Sequence, residues 1–140
     1  MEKDFDGWNK LKIKLDAVVD FPRPKRRQVW WCVIGLNVGS EQSCSEDFER
    51  PVLVLKVFGS MFWGIPITSS DQDNKKKGNP LFYKIEGISY STSDGRTKKL
   101  QGYIALCQLR IFDSRRLKRK LLKLDIDLFD TIEQKVRGLL

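Results

Sequence analysis

Apolar positions in the first twenty residues recur at helical steps. Phe5, Trp8, Leu11, Leu15, Val18 and Val19 fall on one stripe and Ile13 falls off it. The pattern predicts an amphipathic helix over 4–19 whose stripe faces a core. Pro22 and Pro24 stop that helix. Lys25, Arg26 and Arg27 make the connector over 21–27 basic, either as a solvated linker or as a phosphate-contacting edge. From Val29 the period changes. The runs 29–38, 51–58 (PVLVLKVF) and 62–68 (FWGIPIT) are apolar, aromatic and β-branched, which predicts three strands. Pro66 inside the third run points to a strand end or a sheet edge.

Further along, 70–79 (SDQDNKKKGN) is polar and predicts a loop, with Asp71 and Asp73 solvated in it, and 81–86 predicts a short strand. Ser93-Asp94-Gly95 carries hairpin chemistry. The run 103–112 (YIALCQLRIF) predicts another strand. Its alternation places Tyr103, Ala105, Cys107, Leu109 and Ile111 on a core face, and Gln108 and Arg110 together on the other. Residues 114–123 (SRRLKRKLLK) hold six cations, as a solvated basic face or a track for a phosphate backbone. A closing helix follows in 124–140, where Ile126, Phe129, Ile132, Val136 and Leu140 repeat at three or four. Asp125, Asp127 and Asp130 near its start and Lys135 and Arg137 near its end complement the helix dipole.

These elements predict a mainly β (α+β) fold, an SH3-like small barrel of about five strands flanked by an N-terminal and a C-terminal helix. The expected organisation is one domain over 1–140: helix 1–20, basic linker 21–27, barrel 28–124 and closing helix 125–140. At 140 residues and 41% hydrophobic composition, the chain can bury roughly two-thirds of its unfolded surface, so disorder is a poor description of it. The first twenty residues are too charged for a signal peptide, and no apolar run approaches a membrane span.

Charge and the absence of one residue type narrow the chemistry. Lys plus Arg number 26 and Asp plus Glu 18, a net charge of +8, which favours an anionic partner. There is no His. That removes Ser-His-Asp and Cys-His nucleophiles, imidazole acid–base pairs and imidazole metal sites. Cys32, Cys44 and Cys107 are odd in number and form no Cys-x-x-Cys pair. They read as reduced, mostly buried thiols of a cytoplasmic protein. No Gly-rich phosphate loop precedes a helix, no carboxylate cluster shows metal spacing, and no cofactor is implied. The tryptophans Trp30, Trp31 and Trp63 suit core or interface packing better than base stacking. Composition and pattern alone leave an RNA-binding module and a nuclease undecided.

Three segments change that. They are Val38-Gly39-Ser40-Glu41-Gln42, Arg50-Pro51-Val52-Leu53-Val54-Leu55 and Ile65-Pro66-Ile67-Thr68-Ser69. They are followed by Gln108-Leu109-Arg110-Ile111-Phe112-Asp113 and Arg116-Leu117. In this order and spacing, from about residue 28 to 140, the chain resembles the MazF/PemK family of toxins of type II toxin–antitoxin systems. The resemblance implies a homodimeric mRNA interferase, a metal-independent endoribonuclease that cuts single-stranded RNA. It also implies a cognate antitoxin whose flexible tail covers the RNA groove. It assigns Arg50 and Thr68 as catalytic residues and Glu41 as a further functional carboxylate. It places Gln108 near the active groove, and Ser40, Gln42, Ser69 and Arg110 become candidate RNA contacts. No metal ligand is assigned.

The chemistry suits that assignment. When a ribose 2′-OH attacks the adjacent phosphorus, negative charge gathers on phosphate oxygens, and a guanidinium fork meets those oxygens bidentately. Arg50 serves as clamp and proton donor; the general base stays open, with Glu41 a candidate. The segment 43–49 lengthens the loop before Arg50 relative to compact family members, and 1–27 lies outside their pattern. Two other functions stay open on the same barrel: a toxin that inhibits gyrase by binding, and a plain RNA-binding module.

Overall fold

The computed structural model describes residues 4–16, 21–34, 49–68 and 76–140. The elements among them run α1 (Phe5–Asp16), β1 (Gln28–Val33), β2 (Glu49–Phe58), β3 (Met61–Thr68), β4 (Phe82–Ser91), β5 (Thr97–Ala105), β6 (Arg110–Asp113), β7 (Leu117–Lys123) and α2 (Ile126–Leu139). Short 3-10 turns at Leu106–Gln108 and Ser114–Arg116 flank β6. The architecture is mainly β, a curled antiparallel half-barrel with an N-terminal and a C-terminal helix, in the MazF-like fold.

All the strand pairs are antiparallel, and the path runs β4-β5-β3-β2-β1-β7 with β6 also on β3. Five strands, β6-β3-β2-β1-β7, therefore form the expected barrel sheet, and the β4–β5 hairpin extends it. The ends of this five-strand path meet. Phe112 on β6 and Leu117 on β7 share one buried cluster with Cys32, Ile34, Val52, Val54 and Phe62. The sheet must curl around that cluster, so these side chains mark its concave face. The Phe62 and Phe112 rings stack there at 5.4 Å. A Cβ on Gly64 would come within 2.6 Å of Val52 and 2.9 Å of both rings, so the crowded wall requires glycine.

The other face is covered by α2. Phe129, Ile132 and Val136, spaced three and four apart, bury against Leu53, Leu55, Ile65 and Ile67. Asp125 caps the helix by accepting the Asp127 amide at 3.1 Å, as its sequence suggests. The basic connector serves this packing. Arg26 pairs with Glu133 at 2.8 Å and lies over the Phe129 ring. Arg27, in the left-handed region at φ 79°, donates through Nη2 to the Leu124 carbonyl at 2.8 Å. Of the two sequence-level alternatives, these contacts make 25–27 a clasp between the sheet and the helix.

Several strand expectations shift. The short strand at 81–86 extends to Ser91 and turns at Asp94-Gly95 into β5, with Gly95 at φ 83°. The strand over 103–112 breaks. β5 stops at Ala105, a 3-10 turn takes Leu106–Gln108, and β6 starts at Arg110. The reason lies in β3, whose outer edge has two partners. Its first half, Met61 to Gly64, pairs with β6, and its end, Ile67 and Thr68, pairs with β5. The chain must step between the two, and Pro66, which offers no amide proton, sits at the step. The single alternation over 103–112 is lost with the break. Ile104, Ala105, Leu106 and Phe112 are buried, while Cys107 and Ile111 are exposed.

The strand expected over 29–38 is described as Gln28–Val33, with 35–48 outside the described residues. The basic run 114–123 forms a 3-10 turn and then edge strand β7, whose Lys118, Arg119 and Lys120 are exposed. On α1, Trp8 and Leu11 are half-buried, and the Arg116 guanidinium lies 5.3 Å from the Trp8 ring centroid. That contact ties the N-terminal helix to the turn before β7.

Candidate functional site

The site follows from strand register. On β2 and β3, Val54 lies opposite Gly64, Leu53 opposite Ile65 and Val52 opposite Pro66. Continuing that antiparallel register by two residues sets Arg50 across from Thr68. On its other side Arg50 lies opposite Cys32 of β1. Thr68 in turn lies opposite Tyr103 of β5, and Tyr103 opposite Lys84 of β4. Directly opposed residues share a face, with Cβ atoms roughly 5 Å apart. Cys32, Arg50, Thr68, Tyr103 and Lys84 therefore form one row across five strands, on the concave face defined by Cys32 and Val52.

The row is graded in burial. Cys32 is fully buried and its Sγ donates weakly to the Val33 carbonyl. Arg50 is half-buried and held by neighbouring interactions. Thr68 is buried, and its Oγ1 donates to the Tyr103 carbonyl at a long 3.5 Å. Tyr103 is buried, with Phe82 edge-on at 6.4 Å and the Lys76 ammonium 5.8 Å from its ring centroid. Lys84 is exposed. A guanidinium, a hydroxyl and two ammonium groups thus border one stretch of the sheet.

Two other candidates stand apart from the row. Arg110, opposite Gly64, points to the same concave face. Its Nη2 donates to the Ile34 carbonyl at 3.4 Å and its guanidinium lies over Phe112 at 4.6 Å. It therefore anchors the end of β1, immediately before the segment that carries Ser40, Glu41 and Gln42. Gln108 is half-buried on the 3-10 turn rather than on a strand, so it and Arg110 do not share a strand face. Ser40, Glu41, Gln42 and Ser69, and with them Cys44, Asp71 and Asp73, lie outside the described residues. Tyr103 carried a core signal only, which it satisfies. Lys76 carried none, because it sits in a run of lysines whose sequence reads as solvated loop.

Other ionisable groups are committed elsewhere. Arg115 clasps Asp113 through Nε at 3.1 Å and Nη2 at 2.9 Å. That side-chain hydrogen bond holds the Asp113 carboxyl below the ordinary carboxylate range, and Asp113 caps the turn before β7. Desolvation pushes the Cys107 thiol up, which makes it a poor thiolate nucleophile near neutral pH. Among the described residues no three His, Cys, Asp or Glu converge on a metal-sized site. No described helix is long and apolar enough to cross a membrane.

A curled, basic half-barrel with an arginine–threonine pair at the end of its concave face defines a small toxin class. Residues 25–140 match the family described as PemK-like, MazF-like toxin of type II toxin–antitoxin system. The chain belongs to this family; α1 lies outside the matched span.

Solved structures agree on the fold. One is an endoribonuclease in complex with its cognate antitoxin from a mycobacterial species, at 15% identity and TM-score 0.53, covering 83% of this chain and 93% of that one. MazF (form I) from Deinococcus radiodurans aligns at 22% identity and TM-score 0.56, covering 83% and 94%. A MazE–MazF complex (form II) from the same organism aligns at 20% identity and TM-score 0.52, covering 83% and 93%. Among curated protein sequences none matches.

Proposed function

We propose that this chain is the toxin of a type II toxin–antitoxin pair and acts as an endoribonuclease on single-stranded RNA without a metal ion. The observation that carries the reading is the register that sets Arg50 across from Thr68 on the concave face. Family membership and a net charge of +8 support it. In the reaction the 2′-oxygen attacks phosphorus, the bond from phosphorus to the 5′-oxygen breaks, and a 2′,3′-cyclic phosphate remains. Arg50 binds the non-bridging oxygens as their charge grows and supplies a proton toward the departing 5′-oxygen. Thr68 Oγ1 exchanges its long bond to the Tyr103 carbonyl for one to a phosphate oxygen. A preorganised donor of this kind is worth roughly 10²–10³ in rate. Glu41, on the segment that begins where Arg110 holds β1, is the candidate acceptor for the 2′ proton. Gln108, Ser40, Gln42 and Ser69 are candidate RNA contacts around the same groove.

The partners follow the same reading. An antitoxin with an acidic segment suits the basic surface, and a neighbour in the comparison is an endoribonuclease bound to its cognate antitoxin. A homodimer suits the apolar strip of Phe58, Met61 and Ile111, which are 41%, 42% and 54% exposed on adjoining strands. The test is incubation of the purified protein with a mixed RNA pool in EDTA, followed by mapping of the cut ends. Discrete cuts ending in 2′,3′-cyclic phosphate are expected. Intact RNA, with gyrase inhibition or with salt-sensitive RNA binding alone, would replace this reading with one of the two binding functions.

A further inference from the structure

Lys76 is a cation in an unusual place. It is 5% exposed, while Lys77 beside it is exposed. Its Nζ lies over the Tyr103 ring, and Tyr103 is the residue directly opposite Thr68. Lysine is almost never fully buried, and removing an ammonium from water is costly. A covering role over Tyr103 needs only an apolar stem. The charge at its tip calls for an anion.

We propose that Lys76 is a catalytic residue that contacts the scissile phosphate from the side of Thr68 opposite Arg50. This rests on the endoribonuclease reading and extends it. A phosphodiester carries one negative charge. When the 2′-oxygen has lost its proton and added to phosphorus, the pentacovalent species carries two. One guanidinium matches the first charge, and a second cation on the same face matches the added one. Lys76 and Arg50 stand on either side of Thr68 along the row, as such a clamp requires. The electrons of the breaking bond leave with the 5′-oxygen, which takes its proton from Arg50. Lys76 keeps its protons and acts by charge alone.

The experiment measures kcat, KM and melting temperature for wild type, K76M and K76R on an RNA containing a mapped cut site. Methionine keeps the apolar stem over Tyr103 and removes the charge. The expected result is a kcat lower by about 10²-fold in K76M, with KM little changed, the melting temperature retained, and most of the rate restored in K76R. Wild-type kcat in K76M, beside a wild type that cleaves, overturns this inference and leaves the endoribonuclease reading standing. A wild type that leaves RNA intact overturns both. If K76M melts below the assay temperature, K76Q and K76R are compared where both are folded. Activity that follows charge supports the proposal, and activity that follows melting temperature overturns it.

Discussion

The two halves of β3 have the same neighbour on one side and different neighbours on the other. Its first half pairs with β6 and packs Phe62 on Phe112, with Gly64 between them and Val52. Its end pairs with β5 and carries Thr68 beside Tyr103, Lys76 and the head of β2. The first half is a dry aromatic wall with no polar side chain in its buried cluster. The second buries a hydroxyl and an ammonium on the continuation of the same face. Substitutions in the first half should therefore move stability, and those in the second should move chemistry.

The sharpest break of this contrast is F112A. Truncating a fully packed ring should cost about 3–5 kcal/mol of stability, seen as a large drop in the denaturant midpoint, with the cleavage rate of the remaining folded protein unchanged. Loss of rate without loss of stability would erase the distinction. G64A follows. Its Cβ would meet Val52 and both rings, and overpacking of this kind costs about 1–3 kcal/mol, read from the same titration. An unaltered midpoint would mean that the wall is looser than its contacts indicate.

T68V should do the reverse on the other half. It removes one hydroxyl whose bond to the Tyr103 carbonyl is long, so stability should hardly move. Cleavage should fall about tenfold, the effect of one neutral hydrogen bond in the transition state. The smallest effect belongs to Asp113, outside both halves. Arg115 lowers its folded-state pKa, so its contribution is present above the ordinary carboxylate range near 4. It is lost as pH falls through the lower folded-state value. The pair is partly exposed, and D113N should cost less than about 1 kcal/mol at neutral pH. The difference from wild type should vanish in acid. A gap that widened on acidification would contradict the assignment.

Much of the β3 contrast was legible in the sequence, and some could not be. PVLVLKVF and FWGIPIT announce β2 and β3 because β-branched runs between turn residues have few alternatives. The closing helix announces itself by its spacing and by acids before bases. Asp94-Gly95 marks a hairpin, although the strands it joins are longer than their hydrophobicity suggests. The break at Leu106–Gln108 was illegible because its apolar residues alternate as a strand would, and only the demand of β3 for two partners on one edge interrupts them. Arg50 and Thr68 stood out through the order of family segments, and their proximity is a matter of register, which no local pattern encodes. Lys76 was hidden for a simpler reason: a lysine among lysines looks solvated until the fold lays it on Tyr103. The clasp made by Arg26 and Arg27 was hidden in the same way.

The central claim is that the guanidinium of Arg50 does the chemistry on phosphate, and single-turnover cleavage of a mapped RNA by R50A in EDTA tests it most directly. The account predicts a fall of about 10²–10³ or more in rate with an unchanged melting temperature. An R50A protein that cuts the same bond at the wild-type rate would contradict it.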